Sequence, residues 1–515
     1  MGAYCKSTHP EAARSAEMLL NRLEIEYEAG NNSMKPSRRS YSKVIDAFAR
    51  RGDADDAYNI LLRMVTEYEN GNTDIKPCTI IYTNVMDAFA KSRASNAPER
   101  AEAVLRFMLH SYEENKQQRQ ILDCKAFSVV INAWAQSNRI DKGRKAMDIL
   151  DLMNSYVEPD LQAYNIVMNA LTEDDRDIHR AEDLLDEIER SEVLAADHFT
   201  YNSLLKAYCK QAERRGAVGA EKAQKLINHW EFEYKCGHTD EKPDYYSYFA
   251  LIKAWGISNV REAAQRADNI LTYMEENEIK LSKFCYNAVL QAWSRSYDHD
   301  AAKNAERVFQ KLLRKYEQTG DKEVKPDKFS YFGVIAARTR SLDTSPPYRA
   351  ENLLREMVEN KDQENPDNKI YSAVISGWAR STTKGFGHEE DINTGLRAES
   401  LIDLMLSTRT KPDTMNMNAV ITAYVNNTKH QEDSQGAIAV LHRMHKLYIP
   451  TSSVTYSILL KACYMYSDSV IEGIFQDCIK HGMLDDKILN KLLSNGRPSH
   501  LCSQIHKESD GGKGV

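Results

Sequence analysis

Residues able to break bonds are scarce in this sequence and never gather at a usable spacing. No His-x-Glu is followed by a Cys-x-x-Cys, so zinc-dependent deamination has no ligand set. No GxxxxGK exists to cradle a nucleotide. His500, Cys502 and His506 have a loose metal-like spacing inside a polar tail, and they read as solvated residues. The nine cysteines are odd in number and scattered, and no CxxC pair occurs. Cys209, Cys285 and Cys463 fall within helical patterns and read as small buried hydrophobes in a reducing compartment. What recurs is a set of amide, hydroxyl, carboxylate and cationic side chains at fixed places in a repeated phrase. That is the chemistry of recognition, with no cofactor and no small-molecule substrate implied.

The elements that must hold those side chains are written in the phrase itself. It reads YSKVIDAFAR from Tyr41, YTNVMDAFAK from Tyr82, FSVVINAWAQ from Phe127 and YNIVMNALTE from Tyr164. It returns as YNSLLKAYCK from Tyr201, YFALIKAWGI from Tyr248, YNAVLQAWSR from Tyr286 and YFGVIAARTR from Tyr331. The last three are YSAVISGWAR from Tyr371, MNAVITAYVN from Met417 and YSILLKACYM from Tyr456. A period of 37 to 47 residues predicts a solenoid, not a globular core around a pocket.

Within a unit the apolar residues mark two helices. Tyr82, Val85, Met86, Ala88, Phe89 and Ala90 make one helical stripe, and AEAVLRFMLHSY from Ala101 makes the second. The second helix repeats a small-xxx-large pattern, as in AYNILLRM from Ala57, AMDILDLM from Ala146 and AERVFQKL from Ala305. The alanine lets helices approach, and Met64, Met108, Met153, Met274, Met357, Met405 and Met444 read as core filler. Pro36, Pro77, Pro159, Pro243, Pro326, Pro366 and Pro412 stop each pair and start the next. The expected fold class is therefore all-α: an α-solenoid of stacked antiparallel helix pairs, wound as a right-handed superhelix.

The expected division is a partial repeat over 1–37, about eleven helix-turn-helix repeats over 38–485, a capping helix over 486–500 and a disordered tail over 501–515. Inserts, such as the one after Arg314 and the long one after Ile375, are expected outside the packed stripes. GAYCKS near Met1 matches the AYCK of Ala207–Lys210, so the chain is expected to open inside a first helix, as a truncated product. With 42% hydrophobic and 28% charged residues the composition is that of an ordered protein. No apolar run is long enough for a membrane helix. A net charge of −7 weighs against general, charge-driven nucleic-acid binding but leaves room for a local basic stripe.

The Tyr-Asn openings at Tyr164-Asn165, Tyr201-Asn202 and Tyr286-Asn287, the Ala-x-x-Leu-(Leu/Phe)-x-x-Met second helices and the Pro-Asp endings resemble the pentatricopeptide repeat family. Their phase over roughly residues 1–485 separates them from tetratricopeptide arrays, whose Trp-Leu-Gly signature does not recur. The units here are longer than the family's usual length. The resemblance implies a non-catalytic binder of single-stranded RNA, one repeat to one base. Two residues per unit would meet the base: the one after the opening Tyr and the one after the terminal Pro. These are Ser42 with Cys78, Thr83 with Asp123, Ser128 with Asp160, Asn165 with Asp197, and Asn202 with Asp244. Next come Phe249 with Ser282, Asn287 with Asp327, Phe332 with Asp367, Ser372 with Asp413, Asn418 with Ser452, and Ser457 with Asp485. The family's code would read them as G-G-U-U-x-U-x-G-C-G, starting from the Thr83 unit, with Phe249 and Phe332 breaking the rule.

The resemblance also assigns base stacking to the residue two before the opening aromatic: Ile80, Phe199, Tyr246, Phe284, Phe329, Met415 and Val454. The alternative for each is ordinary packing between repeats. Arg50, Lys91, Lys210, Arg295, Arg340 and Arg380 close the phrase at one phase and could track phosphates, although helix C-termini favour cations in any case. Family membership implies a mitochondrial or plastid location, with a cytoplasmic one as the alternative, and RNA-processing or ribosomal proteins as further partners. The competing function is a scaffold that holds an extended peptide in the same groove. The recurrent Asp is expected to separate the two, since a peptide groove does not require it in unit after unit.

Overall fold

The computed structural model describes residues 11–92, 94–114, 122–258, 260–340, 347–360, 364–381, 393–426, 431–461 and 466–484. Among them are twenty-three α-helices and no strand. The capping helix and tail expected over 486–515 lie outside the described residues. The chain forms two compact units, Met1–Ala250 and Leu251–Val515.

In the first unit α1 (Ala12–Glu28) is the second helix of the partial repeat. Four complete pairs follow: α2 (Arg38–Ala49) with α3 (Ala54–Glu69), α4 (Thr79–Lys91) with α5 (Ala97–Glu114), α6 (Cys124–Ala135) with α7 (Lys142–Asn154), and α8 (Leu161–Leu171) with α9 (Ile178–Arg190). The pair α10 (His198–Arg215) with α11 (Ala217–Cys236) completes it, and α12 (Tyr245–Ile257) runs across the unit boundary. The second unit continues with α13 (Ala263–Glu276), α14 (Lys283–Arg295), α15 (Ala301–Thr319), α16 (Lys328–Arg340), α17 (Tyr348–Glu359) and α18 (Asn368–Arg380). It closes with α19 (Thr394–Ser407), α20 (Thr414–Asn426), α21 (Gln431–Lys446), α22 (Ser453–Lys461) and α23 (Asp468–Lys480). Within each unit a first helix packs on its own second helix and on the next first helix, as α4 does on α5 and α6.

The packing follows the sequence pattern. Ala57, Ala146, Ala181, Ala267, Ala305 and Ala398 are all fully buried, and the methionines of the eighth position fill the space beside them. The opening aromatics are buried too, and their hydroxyls are satisfied by acids: Tyr41 donates to Glu24 at 2.6 Å, Tyr164 to Glu187 at 2.7 Å and Tyr286 to Glu275 at 2.8 Å. A second set of bonds ties unit to unit. The acid that follows the small Ala of one second helix accepts from the aromatic at the eighth place of the next phrase. Trp134 Nε1 donates to Glu102 at 3.0 Å, Tyr208 to Glu182 at 2.7 Å, Trp378 Nε1 to Glu351 at 3.0 Å and Tyr424 to Glu399 at 2.7 Å. Each bond serves a buried donor that would otherwise cost about 1–3 kcal/mol.

Each of the seven prolines that close a pair sits directly before the N-cap residue of the next first helix. Asp160 Oδ1 accepts from Ala163 N at 2.9 Å, Asp367 Oδ1 from Ile370 N at 3.1 Å, and Asp197 forms a reciprocal capping box with Thr200. The insert after Arg314 differs from expectation. α15 continues through it to Thr319, and a 3-10 turn at Lys322–Val324 then buries Val324, as the turn at Thr73–Ile75 buries Ile75. These longer units lengthen the second helix and seal it with one apolar residue, so the extra length is not loop.

Candidate functional site

The residue after each opening aromatic lies one step round the helix from a buried ring, so it emerges at the rim of the core. Ser42, Ser128, Asn165, Asn202, Phe249, Asn287, Phe332, Ser372, Asn418 and Ser457 are all half-buried there, and Thr83 is buried. Their proposed partners cap the following first helix. The two positions meet in space: Asn165 Nδ2 donates to Asp197 Oδ1 at 3.1 Å, Asn287 Nδ2 to Asp327 Oδ1 at 3.0 Å and Asn418 Nδ2 to Ser452 Oγ at 3.5 Å. Asn202 accepts from Ser247, which is held in turn by Asp244.

The hydroxyl positions behave differently. Thr83 Oγ1 donates to Thr79 O at 2.8 Å, Ser128 Oγ to Cys124 O at 3.0 Å and Ser372 Oγ to Asn368 O at 2.8 Å. Those protons point back into the helix, which leaves the oxygens as acceptors, and Ser372 Oγ accepts from Asn416 Nδ2 at 2.7 Å. Phe249 lies parallel to Tyr245, with ring centroids 6.0 Å apart. Asp123 caps α6, Cys78 stands at the N-cap of α4 with no side-chain cap bond, and Ser282 is buried at the cap of α14. Asp485 lies outside the described residues.

The recurrent Asp has a structural reason that the sequence analysis overlooked. An N-cap carboxylate satisfies amide donors that the first turn leaves open, whatever the groove binds. Its recurrence therefore does not separate an RNA groove from a peptide groove.

In seven repeats the side chain two before the opening residue is apolar and exposed. Ile80, Phe199, Tyr246, Phe284, Phe329, Met415 and Val454 range from 52% exposed at Phe284 to 74% at Met415. Packing between repeats would have buried them. Cations sit against two of the rings: Lys283 Nζ is 5.7 Å from the Phe284 centroid and Lys328 Nζ 5.6 Å from that of Phe329. In the first unit, Asn165, Asp197 and Phe199 line one cleft of about 680 Å³ together with Asn132, Gln136 and Asn169.

The six cations are not equivalent. Arg50 pairs with Asp46 at 2.8 Å and Lys91 with Asp87 at 2.5 Å, each one helical turn back, so both arrive partly neutralised. Lys210 is half-buried, while Arg295 and Arg340 are exposed. Arg380 donates to Thr339 O at 2.7 Å, and burial together with nearby Arg340 holds its guanidinium below the usual value.

Sequence reasoning missed the residue directly before the opening aromatic. Thr200, Ser247, Ser330, Asn416 and Thr455 are fully buried polar groups there. Thr200 Oγ1 lies 2.8 Å from Asn165 Oδ1, and Ser330 Oγ 2.6 Å from Asn287 Oδ1. A polar side chain in an apolar helix stripe was the available signal.

Among the described residues, His445, Asp477 and His481 come within metal-ligand reach of one another. The carboxylate there is already occupied: His445 Nε2 lies 3.0 Å from Asp477 Oδ2, and Tyr456 donates to the same oxygen at 2.8 Å. The cluster reads as a hydrogen-bonded network that ties α21, α22 and α23.

Two family models match separate stretches of this architecture. The PPR repeat family model covers residues 159–210, and the PPR repeat model covers 39–68. Both matches fall in phase with the eleven-fold phrase and its helix pairs. The chain carries pentatricopeptide repeats at these two stretches. Among solved structures, the pentatricopeptide repeat protein PPR10 from maize is similar, at 16% identity over 97% of this chain and 71% of that one, with a TM-score of 0.34. PPR10 in complex with an 18-nucleotide psaJ RNA element is similar at 14% identity, over 89% of this chain and 82% of that one, with a TM-score of 0.29. No curated protein sequence matches. No described helix is long and apolar enough to cross a membrane.

Proposed function

We propose that this pentatricopeptide repeat protein binds single-stranded RNA, one repeat to a base, and acts by covering its site, without catalysis. The observation that carries the reading is the alternation of two surfaces along the first helices. Exposed planar or apolar side chains suit the faces of bases, and half-buried amides and hydroxyls suit their edges. At Asn165, Asp197 and Phe199 both surfaces line one cleft. PPR10, a protein of the same repeat family, has been crystallised with RNA, and the reading extends that partner to this chain. An organellar transcript, in mitochondrion or plastid, is the expected target, with recruitment of processing or ribosomal proteins as its consequence.

The test is selection from a pool of short RNAs, followed by equilibrium binding of the winners at several salt concentrations. A shared motif with binding that weakens as salt rises supports the reading. Selection of no motif, or capture of extended peptides with RNA ignored, refutes it.

A further inference from the structure

Every asparagine at a base-reading position is held by a hydroxyl from the following repeat. Asn165 Oδ1 lies 2.8 Å from Thr200 Oγ1, Asn202 Oδ1 3.0 Å from Ser247 Oγ, Asn287 Oδ1 2.6 Å from Ser330 Oγ and Asn418 Oδ1 2.7 Å from Thr455 Oγ1. All four hydroxyls are fully buried. We propose that Thr200, Ser247, Ser330 and Thr455 are specificity-determining positioning residues, which lock the reading amide of the preceding repeat in one of its two rotations. The inference rests on the RNA-binding reading above and adds residues to it.

The chemistry forces the choice of rotation. A carboxylate only accepts, so Asp197 and Asp327 draw the Nδ2 end of Asn165 and Asn287 toward themselves. The amide oxygen then faces the hydroxyl, whose single proton it shares as acceptor with the cap carboxylate: Thr200 Oγ1 lies 2.8 Å from both Asn165 Oδ1 and Asp197 Oδ1. Turned by 180°, the amide oxygen would oppose the carboxylate, and the Nδ2 donors would face a hydroxyl that already accepts from the cap N–H. One N–H and one oxygen lone pair remain for the base, in a fixed order. Bases whose edges carry donor and acceptor in the opposite order are rejected by that order alone.

Helix capping does not account for the pattern. A hydroxyl at this place completes a capping box, as Thr200 does with Asp197. Yet the caps at Asp123, Asp160 and Asp367 stand with Ala126, Ala163 and Ile370 there. What tracks the hydroxyl is the reader one repeat earlier. Units reading with Ser42, Thr83, Ser128, Phe249 and Phe332 are followed by Ile81, Ala126, Ala163, Cys285 and Ile370. The Ser372 unit has the reverse polarity: Asn416 Nδ2 donates to Ser372 Oγ at 2.7 Å. Ser40, the remaining polar case, follows the partial unit, which offers no reader in this sequence.

The test uses the full chain and RNA pools randomised at one base at a time. Thr200→Val keeps the shape and removes the hydroxyl. It is expected to lower base preference at the Asn165 position roughly three- to tenfold, the worth of one hydrogen bond, with other positions unchanged. Thr200→Ser is expected to restore it. A gain experiment does not depend on tolerance of that loss. Ser128→Asn alone is expected to read its base weakly, and Ser128→Asn with Ala163→Thr to exceed it three- to tenfold in preference. Undiminished preference in Thr200→Val, or equal preference in the single and double Ser128 variants, overturns the inference and leaves the RNA-binding reading standing. A wild-type chain that selects no base at any position overturns both.

Discussion

Phe284 and Phe329 stand two residues before the openings of neighbouring repeats, with Asn287 on the first of the two helices. If both rings close on the base that Asn287 reads, their energies are coupled, and the coupling can be measured. Each ring is more than half exposed, at 52% and 61%. Full burial of a phenyl is worth about 1.5–3 kcal/mol, so truncating these costs the fold about 1 kcal/mol or less. Trp293, on the same helix α14 but 1% exposed, is the control, and its loss to alanine should cost about 3–5 kcal/mol. In binding the order reverses. Stacking is worth about 1–3 kcal/mol per base, so Phe284→Ala and Phe329→Ala should each weaken the selected RNA roughly 5- to 150-fold. The double variant should lose less than the sum, by about 0.5 kcal/mol or more, because the second ring has only half a sandwich left to remove. Equilibrium gel shift gives the affinities, and thermal unfolding followed by circular dichroism gives the stabilities. Strict additivity, or phenylalanine truncations that lower the melting temperature as far as Trp293→Ala does, would refute the stacking geometry.

Binding should fall with salt at a log–log slope of about −4 if six cations each meet a phosphate, and Arg295→Ala or Arg340→Ala should flatten it by about 0.7, measured by titration at graded salt. Arg50→Ala and Lys91→Ala should change the slope less, since Asp46 and Asp87 already pair with them. The buried tyrosines set an alkaline limit: burial pushes Tyr82 up to about 12 from 10.0 and raises Tyr41, Tyr201 and Tyr286 as well. The unfolded chain releases those protons first, so stability is full below pH 10 and is lost as pH rises through 12, with tyrosinate absorbance and helix loss appearing together. Gly219→Ala should destabilise by about 1–3 kcal/mol in chemical denaturation, because a Cβ there would strike the backbone of Tyr208, Gln211 and Ala212 on α10.

The fold was legible because its information is local and repeated. The eleven openings, the small alanines and the filler methionines each fix one contact, and the phase of the phrase fixes the rest. The geometry of the candidate site was legible in part. Phe199 and Phe284 carry their own signal, since an aromatic on the polar side of a helical stripe has no core to join. Arg50 and Lys91 gave a signal that went unread: DAFAR and DAFAK each hold an acid four residues before the base. Thr200 stood out only as a polar side chain in an apolar stripe, and its pairing with Asn165 was not legible, because that partner lies one repeat away and only stacking brings them together. The long unit after Arg314 hid its structure for a related reason. Val324 looks like loop until the 3-10 turn is seen to fold it back toward α15.

The second proposed reading position is also a helix cap, and that limits how such a protein can change. A groove that swaps one base preference for another must draw its replacement from side chains able to start a helix. Asp, Ser and Cys are what this chain uses at that place, while the position after the opening aromatic admits Asn, Ser, Thr and even Phe. Retargeting by mutation is therefore lopsided. One letter of each pair drifts freely, and the other is drawn from a short alphabet that protein folding wrote before any ligand was chosen.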